Sequence, residues 1–364
     1  MSKKLISVVL ALALLLGLTS VGFADDAIEI EFWTVFTGDD GQTLQKLVDQ
    51  FNEEYAGQIK VNHTPFSDPY TNLYTNVQAG VTADIPDVMI GHVERVPKMV
   101  DDGILTDVDF LFEEGALDRA NYPELVLDRT NYDGYQYGIP WDFNAPVLYV
   151  NLDLIAKYDL ADLLEDGYVT FDEILKAGET IKAAGDLGDI AVISYHGGFN
   201  EFVARYEEFG QVELIQDGNL VIDPQIWGDM LARFQEQNNL GYSIPREDDA
   251  KTRFIGGSLL FFENGTWTNA TLMQVEGLNY TAMMMPVFSP ETALCRCGSH
   301  TWMQPENEDR TEEEDLAVAT FIDWMGAHSI IWGTEAGQVP LYKSVTEMPE
   351  FAELEQCFLG EAGT

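Results

Sequence analysis

The stretch Tyr132–Asp153, YDGYQYGIPWDFNAPVLYVNLD, carries the most information about the fold. Pro140 and Pro146 bracket the tetrad Trp141–Asn144, and proline biases the backbone around it toward extended conformations. The apolar run Val147–Val150 follows at once and is typical of a buried strand. The tetrad therefore predicts a crossing between two structural units. A ring, a carboxylate and an amide at such a crossing would suit a polyhydroxylated ligand.

Around this stretch, length and composition favour two domains. The chain has 364 residues, and its hydrophobic fraction of 46% is enough to bury a core in each domain. Lys3 and Lys4, the apolar stretch Leu5–Leu18 and small residues up to Ala24 form the pattern of a secretory signal peptide. We expect export with cleavage after Ala24. Since no later segment has the roughly 20 apolar residues of a membrane span, we expect no direct membrane insertion. We also expect the protein to be a monomer.

The charge of the chain excludes some partners. The formal net charge is −43 at pH 7, so the phosphate backbone of a nucleic acid would be repelled. Direct binding to anionic lipid is disfavoured for the same reason. We interpret the acidity as a well-solvated surface rather than as a device for collecting cations.

Neither a disulfide scaffold nor a metal centre is predicted. Three cysteines, Cys295, Cys297 and Cys357, are too few for a disulfide scaffold in a chain of this length. Whether Cys357 pairs with either of the other two stays open at this point. The five histidines show no recognised metal-ligand spacing, and we expect no metal and no cofactor.

Alternating elements predict an α/β fold. Ile28–Phe32 alternates apolar and acidic residues as a strand does, and Leu44–Phe51 carries one apolar helix face after the loop Thr34–Gly41. Further strands are predicted at Ile59–His63 and Pro86–Ile90. Strands that alternate with helices in this way favour parallel pairing.

Two later helices carry start signals. Thr170–Glu173 and Thr311–Glu314 both fit the capping box, in which a hydroxyl and a carboxylate satisfy free backbone amides. Negative charge stabilises a helix amino terminus by up to about 1 kcal/mol, so we interpret the acidic run Glu312–Asp315 as structural.

Six segments in a fixed order resemble a known family. They are EFWTVFTGDDG, PDVMIGHVERV, DDGILTDVD, YGIPWDFNAPVLYVNLDLI, FFENGTWTNATL and GTEAGQVPLYKSV. From Ile28 to about Val345 the chain is similar to the extracytoplasmic solute-binding proteins of ABC importers, in the family that includes maltose-binding protein. The resemblance implies a two-lobed type II periplasmic-binding fold with hinge crossings and mixed, mostly parallel sheets.

The resemblance also implies domain boundaries. After a signal peptide at 1–24, the N-terminal lobe would comprise 25–143 plus 288–338 and the C-terminal lobe 148–283 plus 339–364. The second crossing would lie at Met283–Pro290. Relatives continue for several more helices after the GQVP-like segment, whereas this sequence ends at Thr364, so we expect either a truncated sequence or a second lobe that is completed differently.

The resemblance assigns ligand contacts to loops between the lobes. Asp39 and Asp40 would bind sugar hydroxyls, Glu94 and Arg95 would form an acidic–arginine contact pair, Asn144 would present a polar group from the first hinge, Trp267 would stack on a sugar ring, and His196 would lie in a cleft-facing loop. Trp141 and Asp142 are candidates by their place in the hinge tetrad alone. His300 and Trp302 follow the predicted second crossing, where relatives place further contacts. No catalytic residue is predicted.

The function implied is capture of a sugar, with an oligosaccharide favoured, and its delivery to the transmembrane permease of an ABC importer. One alternative is binding of a polyamine or another cationic solute, which would require Arg95 to lie outside the cleft. Another is a secreted glycoside hydrolase, which would require two suitably spaced carboxylates, one with a raised pKa.

Overall fold

The computed structural model of the protein describes residues 27–113, 116–216, 218–245 and 249–354, and for 199 and 200 the backbone alone. The expected signal peptide and Cys357 lie outside these ranges. The strands are β1 Ile28–Thr34, β2 Ile59–Pro65, β3 Val88–His92, β4 Asn131–Tyr132, β5 Tyr135–Gln136, β6 Ile139–Pro140, β7 Asp142–Phe143, β8 Pro146–Asn151, β9 Ala191–Ser194, β10 Ile215–Gln216, β11 Asn219–Leu220, β12 Ser243–Ile244, β13 Leu259–Gly265, β14 Tyr280–Met284, β15 His300–Met303 and β16 Val339–Pro340.

The helices in the same ranges are α1 Asp39–Glu54, α2 Pro69–Ala79, α3 Val96–Asp101, α4 Asp109–Glu113, α5 Glu124–Leu127, α6 Leu152–Tyr158, α7 Phe171–Ala184, α8 Phe199–Gly210, α9 Pro224–Asn239, α10 Ala250–Ile255, α11 Asn269–Leu272, α12 Glu312–Ala327, α13 Ile330–Ala336 and α14 Lys343–Thr346. Among the described residues, no helix has the length and apolar character that a membrane span requires.

The first lobe is built on a five-stranded sheet of order β2-β1-β3-β15-β6. β1 pairs in parallel with β2 and β3, whereas β15 runs antiparallel to β3 and β6. The alternation predicted in β1 is confirmed: Ile30 and Phe32 are buried, while Glu29 and Glu31 are exposed. Helices α1 and α12 pack on this sheet and close its core.

The second lobe is built on a sheet of order β12-β9-β13-β8-β14. β9 pairs in parallel with β12 and β13, and β8 runs antiparallel to β13 and β14. Every residue of β8 is buried, because Leu148 and Val150 enter one core cluster while Val147 and Tyr149 enter the cluster on the opposite face. The two-lobed α/β prediction is confirmed. Each sheet, however, combines two parallel with two antiparallel pairings rather than being mostly parallel.

Local signals at helix ends are confirmed in two cases and corrected in one. Thr170 with Glu173 and Thr311 with Glu314 both form complete capping boxes. The loop predicted at Thr34–Gly41 is shorter than expected, because α1 begins at Asp39. The two acidic residues at 39 and 40 therefore lie in the first helical turn, where the helix dipole favours negative charge.

The chain crosses between the lobes at two adjacent places. The amide and carbonyl of Asn144 exchange hydrogen bonds with those of Gly298 at 3.0 and 2.7 Å, just before β8 begins. The return crossing thus lies at Gly298, later than the predicted Met283–Pro290. Phe288 stacks on Phe171 of α7 with ring centroids 4.2 Å apart, and Cys295 packs on the second-lobe core. Residues 288–297 therefore belong with the second lobe, which corrects the predicted boundary.

The described end of the chain, 341–354, packs mainly on the first lobe, although it was assigned to the second, and Phe351 contacts core clusters of both lobes. The hydroxyl of Tyr342 donates to Asp323 at 2.6 Å and accepts from the Asn121 amide at 2.7 Å. Its ring lies so close to Gly326 that a Cβ there would be 2.3 Å from the ring. The absence of a side chain at Gly326 of α12 therefore leaves the space that the Tyr342 ring fills. Val345 also packs in the first-lobe core.

Candidate ligand-binding cleft

One cavity of about 650 Å³ opens between the lobes at the hinge. Residues of both lobes line it, and seven of the predicted site residues are among them. The lining comprises Val35, Phe36, Asp40, His92, Glu94, Arg95, Asn144, Pro146, His196, Gly198, Glu201, Trp267, Arg296, Gly298, His300 and Gln338. The loops after β1, β3, β9 and β13 thus converge, as the carboxyl ends of sheet strands in facing α/β lobes do.

The first lobe contributes charged side chains to the cavity. The Asp40 carboxylate accepts a hydrogen bond from the Gly41 amide at 2.8 Å. Burial raises the pKa of Asp40, although that hydrogen bond and the nearby His300 oppose the shift. Glu94 and Arg95 are exposed in a short 3-10 helix directly after β3, and the Arg95 guanidinium lies 5.0 Å from the ring centroid of Tyr70. Carboxylate and guanidinium groups are therefore available side by side.

At the hinge, His300 lies above a buried carboxylate. Its Nδ1 is 2.9 and 2.8 Å from the two carboxylate oxygens of Asp142, and its backbone amide donates to the same group at 2.9 Å. Trp332 donates its indole N–H to Asp142 at 2.7 Å. The side-chain amide nitrogen of Asn144 is 3.3 Å from Nδ1 of His300. Asp142 thus supports the wall of the cavity without lining it.

The second lobe contributes an aromatic face and a histidine. The ring of Trp267 lies directly over Gly265, where a Cβ would come within 2.1 Å of the indole. The ring of His196 meets that of Trp267 edge-on at 5.8 Å, and its Nδ1 is 2.9 Å from the carboxylate of Glu201. Burial acts to raise the pKa of Glu201, but the hydrogen bond with His196, a backbone hydrogen bond and the nearby Arg205 together outweigh burial and hold the pKa below its usual value.

Four predicted site residues are not brought to the cavity. Trp141 and Trp302 are 2% and 1% exposed and lie in the first-lobe core, where Trp141 stacks on Trp332 at 4.5 Å and Trp302 stacks on Phe32 at 5.3 Å. Neither tryptophan side chain can contact a ligand in the cavity in this conformation. Asp142 is fully buried beneath the cavity floor.

Asp39 is also turned away, toward the second lobe. Its carboxylate accepts a hydrogen bond from the Thr271 hydroxyl of α11 at 2.7 Å. Because successive residues of a helix point about 100° apart, only one of the two neighbouring acids in the first turn of α1 can face the cavity.

Several lining residues escaped the sequence analysis. Phe36 lies on the loop after β1, His92 is the last residue of β3, and Gln338 lies in the GQVP segment. Each of them is close in sequence to a predicted site residue or motif, which was an available signal. Glu201 follows the Gly-Gly turn in the first turn of α8. Arg296 gave no signal, since it becomes a lining residue only because 288–297 folds with the second lobe.

The cavity combines hydrogen-bonding groups with one flat apolar face. Three of the five histidines in the chain and two arginines line it, together with three carboxylates. In a chain of net charge −43, this composition is far less acidic than the surface as a whole. Such a site can hold hydroxyl groups by carboxylate, amide and guanidinium contacts while a ring stacks on a C–H face.

Comparisons with known proteins show the family to which the chain belongs. Residues 46–358 match the family described as bacterial extracellular solute-binding protein. The sn-glycerol-3-phosphate-binding periplasmic protein UgpB of Escherichia coli (strain K12) is 22% identical over 358 residues, which cover 93% of this chain and 80% of that protein.

Solved structures have the same fold. Maltose-bound MalE3 of T. maritima has a TM-score of 0.75 at 19% identity, covering 93% of this chain and 87% of that chain. UgpB from Mycobacterium tuberculosis in complex with glycerophosphocholine has a TM-score of 0.76 at 18% identity, covering 90% of this chain and 83% of that chain. Because the family match spans most of its length, the chain belongs to the bacterial extracellular solute-binding proteins, the ligand-capturing components of ABC importers.

Proposed function

We propose that this solute-binding protein captures a neutral oligosaccharide between its lobes and hands it to the permease subunits of its importer without changing it chemically. The observation that carries the proposal is one cavity of about 650 Å³ that joins the Trp267 ring of the second lobe to Asp40, Glu94 and Arg95 of the first. A sugar offers hydroxyl edges to such polar groups and a C–H face to an indole. The ligands bound in structural neighbours, maltose and mannobiose among them, support this class.

Ligand bridging two lobes would favour the closed arrangement. The ligand shifts the open–closed equilibrium only by its extra affinity for the closed form, and contacts supplied by both lobes exist together only there. The protein would reach the permease by export, with cleavage after Ala24, and would act as a monomer that contacts neither nucleic acid nor the lipid directly.

A phosphorylated polyol is the second candidate. Arg95 and Arg296 line the cavity from opposite lobes, and guanidinium groups bind phosphate in a bidentate manner. The relative from E. coli binds sn-glycerol-3-phosphate, and the M. tuberculosis neighbour was solved with glycerophosphocholine. The same arginines argue against the polyamine alternative, because they would repel a cationic solute.

A ligand panel tests the proposal. We expect maltose, maltotriose or mannobiose to raise the melting temperature and change tryptophan fluorescence. Saturation at 100 times the dissociation constant corresponds to about 2.7 kcal/mol of added stability. Glycerol 3-phosphate and glycerophosphocholine form the second arm, and spermidine forms the third.

The fluorescence response should vanish in Trp267→Phe and persist in Trp227→Phe, a matched change in α9 at a residue that does not line the cavity. If only the phosphate compounds produce a response, the phosphorylated polyol becomes the assigned ligand class. If no compound of the panel changes either the fluorescence or the melting temperature, both ligand classes are refuted.

A further inference from the structure

Three histidines line the cavity, and each has its Nδ1 occupied by a different partner. His300 contacts Asp142, His196 contacts Glu201, and His92 contacts the hydroxyl of Tyr70. In the described part of the chain, all side-chain hydrogen bonds of these rings use Nδ1, which leaves Nε2 for the cavity. Since the partner of one ring nitrogen decides which nitrogen carries the proton, the partners also decide what each ring offers to a ligand.

For His300 the partner can only accept. The Asp142 carboxylate has no proton to give, and it already accepts from the His300 amide and from the indole N–H of Trp332. Nδ1 at 2.8 and 2.9 Å must therefore donate. The Asn144 amide nitrogen lies 3.3 Å from the same Nδ1, but it is itself a donor, so next to a protonated Nδ1 it is a longer contact and not a hydrogen bond. The neutral ring then has an unprotonated Nε2, which is a hydrogen-bond acceptor.

His196 repeats this arrangement in the other lobe. Its Nδ1 lies 2.9 Å from the carboxylate of Glu201, whose side chain is only 7% exposed. Gly198 makes room for that carboxylate, because a Cβ at this position would come 2.1 Å from it. The edge-on contact with Trp267 holds the ring from its other side. His196 therefore also presents Nε2 as an acceptor.

His92 has the opposite polarity. The hydroxyl of Tyr70 accepts the backbone N–H of His92 at 2.7 Å, so its own proton is left to donate to Nδ1 at 2.9 Å. The proton of the neutral ring then sits on Nε2, which becomes a donor. Burial, reinforced by the neighbouring His300, lowers the pKa of His92 to about 4, which keeps the ring neutral near pH 7.

We propose that Asp142, Glu201 and Tyr70 are positioning residues that give the cavity a fixed hydrogen-bond polarity. His300 in the first lobe and His196 in the second each accept a hydrogen bond from the ligand, and His92 donates one to it. This inference rests on the proposed function for its ligand, and it specifies that ligand further. The solute must present hydrogen-bond donors, such as hydroxyl groups, toward both lobes and an acceptor toward His92. The carboxylates thereby act as specificity determinants, although Asp142 itself does not need to touch the solute.

Nitrogen NMR of the imidazoles tests the proposal without any ligand. In protein labelled with ¹⁵N at its five histidines, long-range proton–nitrogen correlations at pH 7.5 distinguish the two neutral tautomers and the charged ring. We expect His300 and His196 to carry their proton on Nδ1 and His92 to carry it on Nε2. Single His→Gln variants assign the signals.

Glu201→Met supplies the perturbation, since it removes the acceptor and keeps the size of the side chain. We expect the His196 nitrogen shifts to move toward the average of the two tautomers while those of His300 and His92 stay in place. Glu236→Met, which removes an exposed carboxylate on α9, is the matched control and should move none of them. In Asp142→Asn we expect the nitrogen shifts of His300 to move in the same way as those of His196 move in Glu201→Met. If Asp142→Asn fails to fold, because Asp142 is buried, the test rests on Glu201→Met.

Three results would overturn the proposal: an Nε2 proton on His300 or His196, a doubly protonated ring at either position, or a His196 spectrum unchanged in Glu201→Met. With maltotriose as probe, we expect Glu201→Met to weaken binding about tenfold and Glu236→Met to leave it unchanged. If maltotriose binds neither the wild type nor the variants, that result counts against the proposed function. The tautomers are measured in the unliganded protein, so they test the further inference independently of the proposed function.

Discussion

Breaking the buried ion pair between Arg205 and Glu263 should destabilise the second lobe strongly. Both side chains are fully buried, and the guanidinium lies 5.3 and 5.4 Å from the ring centroids of Tyr195 and Phe234. Glu263 also accepts the backbone amide of His196 at 3.3 Å, so the pair supports the loop that carries this cavity residue. Water cannot solvate either charge once its partner is gone.

The magnitude follows from that burial. Removing one partner of a buried pair leaves an uncompensated charge and costs about 3–5 kcal/mol, whereas replacing both partners with apolar residues is often neutral or stabilising. For a folding unit of about 150 residues, each kcal/mol lowers the melting temperature by about 2–4 °C. We therefore expect Arg205→Met and Glu263→Leu each to lower it by about 10 °C, and the double variant to recover most of that loss.

Differential scanning calorimetry at pH 7 on the four proteins closes the double-mutant cycle. Arg233→Met is the matched control, because Arg233 pairs with Asp172 at the surface and its loss should cost less than about 1 kcal/mol. Single variants that cost no more than this control, or a double variant whose cost equals the sum of the singles, would refute the reasoning.

Individual side chains elsewhere give three more testable expectations. Gly265→Ala should weaken sugar binding about tenfold without loss of fold, because the new Cβ displaces the Trp267 ring; isothermal titration calorimetry checks this, and unchanged affinity would contradict the placement of the ring. Gly228→Ala should raise stability by about 0.5–1 kcal/mol in thermal unfolding, since a Cβ at this exposed glycine of α9 would meet open space; a lower stability would show that the position is constrained after all. Burial raises the pKa of Glu208 from 4.5 to about 7, so its contribution to stability is present below about pH 4.5 and is lost as the pH rises through 7. Melting temperatures measured from pH 4.5 to 8 should show this decline in the wild type and not in Glu208→Gln. The same pH dependence in both proteins would count against this reasoning.

Much of the fold could be predicted from local patterns. Alternation in β1, the apolar run of β8 and the two capping boxes depend on residues close in sequence, and the structure confirms each of them. The loops after strands could likewise be named as the place of the site, because strand direction in an α/β lobe decides which edge carries them. On such loops the resemblance to the solute-binding family predicted Asp40, Glu94, Arg95 and Trp267 as ligand contacts, and all four line the cavity.

The sequence by itself determined the two-lobed architecture and the approximate place of its cleft, since strand and helix periodicity and turn motifs are local properties. Only the tertiary structure decided which rings and acids face the cavity. Trp141 and Trp302 turn into the first-lobe core, and Asp142 turns under His300, because partners distant in sequence, Trp332 and Phe32 among them, surround those positions. The side of the backbone on which a side chain is buried is set by the element packed against it, and that element can come from anywhere in the chain.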